Sequence, residues 1–93
     1  MSPGAPDPTV QGLRERISEI DRALVATVNA RLELVAQLKQ YKQEVGLPFV
    51  DPDRERELID GLVGRNGGPL TDEGLRELYT YLLDLTKREV AEE

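Results

Sequence analysis

The sequence contains no cysteine, no histidine and no tryptophan, and its aromatic residues are limited to three Tyr and one Phe. Without cysteine the chain can form neither a disulfide nor a thiolate nucleophile. Without histidine it lacks the usual base at neutral pH and the most common zinc ligand. Any chemistry must therefore rely on Arg, Lys, carboxylates and the backbone, and neither a metal site nor a covalent mechanism is indicated.

Long apolar runs and clusters of positive charge are also missing. No stretch approaches the roughly 20 apolar residues of a membrane span, and the opening MSPGAPDP has neither the basic flank nor the apolar core of a signal peptide. The net charge of −6 repels nucleic acid and anionic membranes. We therefore predict a cytoplasmic protein that binds neither, with residues 1–8 as a disordered leader and residues 9–93 as one helical domain.

The apolar residues recur at spacings of three and four, which is typical of amphipathic helices, and no segment alternates as a strand would. Gly46 and Pro48 mark the end of one helix, and Asp51 followed by Pro52 marks the start of another. The sequence therefore predicts an all-α fold of one long, one short and one medium helix. Their expected bounds are Val10 to Val45, Asp51 to Gly64, and Thr71 to about Val90.

The length of the first helix predicts self-association. About 35 helical residues span roughly 50 Å, which exceeds the diameter of a globule of this mass. One chain of 93 residues cannot cover the apolar stripe of such a helix. We therefore expect a homodimer with two-fold symmetry.

Two cations, Arg31 and Lys42, interrupt this apolar stripe. They are about three turns apart, so they point the same way at a separation of roughly 16 Å. A cation in a buried position needs an anionic partner. The pair therefore predicts a binding site for an anion, although both side chains could instead snorkel to water or pair with acids across a dimer seam.

Three further candidates share one face at the start of the second helix: Asp51, Arg54 and Glu55 occupy positions i, i+3 and i+4. A capping and ion-pair network is the structural alternative for this cluster. Arg14 lies about 100° around the axis from Arg31, so it cannot reach the same pocket from the same helix. It could serve a pocket on another chain, or be an ordinary exposed arginine.

The sequence resembles the all-helical class of chorismate mutases over about residues 10–90. The resemblance rests on a long helix LRERISEIDRALVATVNARLELVAQLKQYK, a loop with Pro48, and DPDRERELI ahead of a third helix. Its specific elements are Leu13-Arg14, Ile20-Asp21, Asn29-Ala30-Arg31, Lys42 and Asp53-Arg54-Glu55-Arg56. The resemblance implies an intertwined helical homodimer that converts chorismate to prephenate without a cofactor, at the branch toward phenylalanine and tyrosine.

The resemblance also assigns roles to individual residues. Arg31 would bind one substrate carboxylate, Arg14 of the other subunit would bind the second, and Lys42 would face the ether oxygen. Glu55 would accept a hydrogen bond from the ring hydroxyl. The remaining pocket residues would be Arg54, the backbone near Asp51, and Thr86. Thr86 matches a small hydroxyl residue of the third helix in the family.

One position departs from the family pattern. Members usually carry Gln or a protonated Glu near the end of the third helix, as a second donor to the ether oxygen, and Val90 occupies this place. Either Glu89 turns inward through a shift of one residue, or the second donor is missing. In this respect the sequence resembles a short subgroup of the family known in actinobacteria. Its members have poor activity of their own and gain activity when bound to the enzyme opening the pathway, 3-deoxy-D-arabino-heptulosonate 7-phosphate synthase.

The sequence leaves two alternatives to a chorismate mutase open. Related folds act on isochorismate or on 4-amino-4-deoxychorismate and share the cationic framework, although Glu55 favours chorismate. The other alternative is a weakly active or non-catalytic helical dimer that binds a shikimate-pathway enzyme.

Overall fold

The computed structural model describes residues 7–91, and this range contains three α-helices and no strand. They are α1 (Pro8–Val45), α2 (Pro52–Arg65) and α3 (Asp72–Ala91). The predicted all-α fold is confirmed, with helix bounds that differ from expectation by at most two residues. Pro8, predicted as the last residue of the leader, instead belongs to α1, and residues 1–6 of the predicted leader lie outside the described range. Within that range no helix is both long and apolar enough to cross a membrane.

Each helix begins at a side chain that accepts hydrogen bonds from the first turn. A carboxylate oxygen of Asp7 accepts from the backbone amide two residues ahead at 2.8 Å. Asp51 accepts from the amide three residues ahead at 3.1 Å, and Thr71 does the same at 3.0 Å. These contacts satisfy amides that have no partner inside their helix. The starts of the helices are therefore set by residues next to them in sequence.

The end of α1 is a Schellman cap. Gly46 has φ of +77°, a left-handed conformation that glycine adopts at little cost. The amide of Leu47 donates to the carbonyl of Lys42 at 2.8 Å, the contact typical of this motif. Pro48 follows and cannot continue the helix. Lys42 therefore lies in the last turn of α1.

The chain forms two compact units, and the division falls inside α1, after Arg31. The first unit is the N-terminal part of α1, which buries none of its residues. Its apolar side chains are exposed, and we call four of them the N-terminal stripe: Leu13 (51%), Ile17 (56%), Ile20 (62%) and Leu24 (57%). The described residues of this unit, 7–31, include no second helix or strand that could cover the stripe.

The second unit begins at Leu32 and holds the end of α1 together with α2 and α3. Its core follows α3, where Leu75, Thr86 and Val90 are the buried residues of that helix. Ion pairs join α2 to α3, and a hydrogen bond joins α3 to the end of α1. The side chain of Arg76 contacts Asp60 of α2 at 2.9 Å, and other polar contacts of α3 belong to the candidate site.

Candidate functional site

Lys42 is half-buried in the last turn of α1. Among residues 7–91 its ammonium takes part in no ion pair within 4.0 Å, although the chain has more acidic than basic residues. Pairing of Lys42 with an acid across a dimer seam, the alternative that the sequence left open, stays untested in a single chain. A partly shielded ammonium without a carboxylate is suited to an anion from outside the chain.

The start of α2 presents a second cation, Arg54, that has no acidic partner among the described residues. Arg54 is exposed and its guanidinium takes part in no ion pair with the described residues, whereas Arg56 pairs with Asp53. Asp51 is exposed and its carboxylate caps α2. The capping role that sequence offered as an alternative for Asp51 is therefore observed, and Arg54 remains the residue of this cluster that can bind an anion.

Glu55 is held by a lysine that the sequence reasoning missed. The Nζ atom of Lys87 in α3 lies 2.7 Å from Oε1 of Glu55, and both side chains are about two-thirds shielded. The hydrogen bond from Lys87 to Glu55 raises the pKa of the ammonium, against the smaller opposing effect of burial. In sequence, Lys87 offered only a surface pair with Asp84 three positions earlier, which the structure shows at a longer 3.8 Å.

Thr86 and Val90 lie on the buried face of α3, each with 4% of its surface exposed. The Thr86 hydroxyl donates its single proton to the carbonyl of Leu82 at 2.7 Å. Glu89 is exposed. The inward shift of Glu89 is thus not observed, and Val90 occupies the inward position.

Lys39 is a second lysine that the sequence reasoning missed. Its ammonium donates to the backbone carbonyl of Val90 at 2.7 Å and lies 5.8 Å from the centre of the Phe49 ring. The last carbonyls of a helix lack partners within it, and the helix dipole favours a cation there. Lys39 therefore holds the C-terminal end of α3 against the part of α1 that carries Lys42.

Arg14 and Arg31 belong to the first unit. Arg14 is exposed and Arg31 is half-buried. Their binding to substrate carboxylates, and the action of Arg14 on a second copy of the chain, stay predictions. No group of three or more acidic residues within the described chain is placed to hold a metal ion.

The described residues thus form an all-α protein that carries half-buried and exposed cations on its helices. Residues 13–90 match the sequence profile of the family described as chorismate mutase type II. The chain belongs to this family.

This chain matches parts of several curated relatives that are longer than the matched segments. The bifunctional chorismate mutase/prephenate dehydratase of Aquifex aeolicus is 31% identical over 84 residues, which cover 82% of this chain and 23% of that protein. The T-protein of Enterobacter agglomerans is 40% identical over 47 residues, 50% of this chain and 13% of its own length. The chorismate mutase of Methanocaldococcus jannaschii is 31% identical over 48 residues, 52% and 48% of the two chains. This chain thus spans less than half the length of each of these relatives.

Solved structures extend the likeness to nearly a whole chain. Form I of the chorismate mutase from Thermus thermophilus is 31% identical, with a TM-score of 0.82, and the match covers 84% of this chain and 98% of that chain. Form II gives a TM-score of 0.85 at 29% identity, covering 89% and 94%. The all-α fold of the single chain that the resemblance implies is therefore confirmed, while the homodimer stays a prediction.

Proposed function

We propose that this protein is a chorismate mutase, an isomerase that rearranges chorismate to prephenate in the biosynthesis of phenylalanine and tyrosine. The observation that carries the proposal is the family match over residues 13–90. In the reaction the ether C–O bond breaks while a C–C bond forms within one molecule, so neither a nucleophile nor a redox group is required. Loss of chorismate absorbance, with prephenate identified as the product, tests the proposal.

Binding of the substrate would use the arginines. Chorismate carries two carboxylates, and a guanidinium binds a carboxylate through two charge-assisted hydrogen bonds. Arg31 binds one carboxylate and Arg14 of a second copy binds the other, while Arg54 adds positive charge from α2. Fixing both ends of the substrate favours the compact conformer in which the reacting carbons meet.

Lys42 would supply the main electrostatic effect on the rate. Negative charge gathers on the ether oxygen as the C–O bond breaks, so an ammonium beside that oxygen stabilises the transition state more than the ground state. The absence of an ion pair to Lys42 within residues 7–91 supports this role, because a carboxylate partner would weaken the effect. Glu55 accepts the ring hydroxyl, and Thr86 lines the pocket as a hydrogen-bond acceptor.

The homodimer is part of this proposal, because Arg14 acts on a second copy. The exposed N-terminal stripe supports it, since four large apolar side chains of the first unit are each more than half exposed in the single chain. Covering them with the same stripe of a second copy would remove this apolar surface from water.

A charge placed on the N-terminal stripe should separate the subunits. We expect Ile20→Asp to raise the dimer dissociation constant by about a hundredfold or more, because the carboxylate would be buried without a partner. Activity should fall in parallel at low protein concentration. Sedimentation velocity measures the change, and Ser18→Asp, which adds the same charge at an exposed position off the stripe, is the control. A monomeric wild-type protein would contradict the proposal.

The buried Val90 favours a member of the family with weak activity of its own. Val90 has no side-chain donor, and the exposed Glu89 does not replace it. In this proposal turnover is slow for the isolated protein and rises when 3-deoxy-D-arabino-heptulosonate 7-phosphate synthase binds. High turnover of the isolated protein, or turnover that the synthase does not change, would count against it.

A cytoplasmic location, where such a partner would be met, also stays a prediction.

A donor at position 90 should raise the activity. We expect Val90→Gln to increase kcat by about tenfold or more, since one preorganised donor is typically worth about a hundredfold and the new side chain must fit a packed position. Val90→Met, an unbranched apolar side chain of nearly the same length as Gln, is the matched control and should give no increase. Equal rates for the two variants would show that no second donor is missing.

A further inference from the structure

The ion pair between Glu55 and Lys87 differs from the other ion pairs of the described residues in how far it is shielded from water. Its side chains are 27% and 35% exposed, whereas those of Arg76 and Asp60 are 51% and 66% exposed. A shielded pair is screened less by solvent and salt. The charge of Lys87 therefore acts strongly on whatever approaches Glu55.

We propose that Lys87 determines specificity, by making Glu55 an acceptor for a neutral ring hydroxyl and excluding a ring ammonium at the same place. This rests on the proposed function, in which Glu55 receives the ring hydroxyl of the substrate. A carboxylate has about four lone-pair sites, so Glu55 can hold Lys87 and still accept from a hydroxyl. An ammonium at the same place would be attracted by Glu55, but the positive charge of Lys87 on the same carboxylate would offset part of this attraction.

The charges around the pair make the effect of removing Lys87 predictable. From α3, Lys87 faces Glu55, and Asp84 stands 3.8 Å from the same ammonium. Within α2 the neighbouring Arg56 is already paired with Asp53. Without Lys87, the carboxylates of Glu55 and Asp84 would be left with less compensation. Such a site would bind a ring ammonium more strongly, whereas its affinity for a neutral ring hydroxyl would not increase.

The test compares two substrates, chorismate and 4-amino-4-deoxychorismate, in which an ammonium replaces the ring hydroxyl. We measure kcat/KM for both with the wild type, Lys87→Met and Lys87→Arg. The ratio of amino to hydroxyl substrate should rise about tenfold or more in Lys87→Met, because a like charge is removed at close range. Lys87→Arg keeps the positive charge and should keep the wild-type ratio.

Arg76→Met is the matched control, since it removes a cation from an exposed ion pair on the same helix. Its ratio should equal that of the wild type. An unchanged ratio in folded Lys87→Met, checked by circular dichroism, would overturn the proposal. So would an equal loss for both substrates, which is the result expected if Lys87 only supports the fold. Lys87→Gln replaces the Met variant in the same comparison if that variant does not fold.

Binding measurements separate this inference from the proposed function. If the wild type turns over neither substrate, the proposed function fails, but calorimetric titration with both compounds still reports the preference. Binding of the amino compound that strengthens relative to chorismate in Lys87→Met supports the role of Lys87. Relative affinities that do not change would overturn it.

Discussion

Replacing Arg31 by Ala should lower kcat/KM for chorismate by about a thousandfold or more. The variant leaves one substrate carboxylate without its guanidinium, and the loss of a charge-assisted, bidentate contact in a shielded site costs about 4 kcal/mol. At about 1.4 kcal/mol per factor of ten, this corresponds to three orders of magnitude. Chorismate absorbance measures the rate.

The matched control is Arg22→Ala, which removes an exposed arginine from the same helix and should act like the wild type. Circular dichroism establishes that both variants remain helical. Near-normal turnover of Arg31→Ala would contradict the role of Arg31. Binding to a partner enzyme that survives in this variant, in a protein that has no turnover at all, would instead favour the non-catalytic helical dimer.

Replacing Lys42 by Met should lower kcat by about a thousandfold, with a much smaller change in KM. The reason is that the charge on the ether oxygen develops only as the bond breaks, so the ammonium contributes little to binding of the ground state. Full progress curves with chorismate give kcat and KM separately. A loss confined to KM would instead assign Lys42 to substrate binding.

Gln43→Met is the control for Lys42→Met, because it places the same new side chain at the next, exposed position of α1. It should retain the wild-type kcat. If both variants lose activity to the same extent, the cause is a change in the end of α1 and not the lost ammonium. Lys42→Arg keeps the charge in another geometry and should recover part of the rate.

The elements of the fold could be predicted because their signals are local. Asp51 caps α2 through an amide three residues away, and α1 ends before Gly46, where the amide of Leu47 donates to the carbonyl of Lys42 five positions earlier. The stripe that carries Arg31 and Lys42 follows from helical periodicity alone. The resemblance to chorismate mutases, which the family match confirms, was likewise readable from motifs spaced along the chain.

The contacts around the candidate site could not be predicted in the same way. Lys39 and Val90 are 51 positions apart, and Lys87 meets Glu55 from another helix. Whether Val90 or Glu89 faces inward depends on a rotation of α3 by about 100°, which the apolar pattern near the end of a helix does not define. These contacts depend on how the helices of the second unit pack.

The sequence by itself therefore determined the three helices, the cations on the long one, and the family to which the chain belongs. Interactions within about four residues and the period of the helix encode the helices and the placement of the cations, and motifs spaced along residues 13–90 identify the family. Only the tertiary structure decided that Lys87 holds Glu55, that Lys39 binds the end of α3, and that Val90 is buried. The physical reason is that an ion pair or a buried face between helices forms only where packing brings distant residues together.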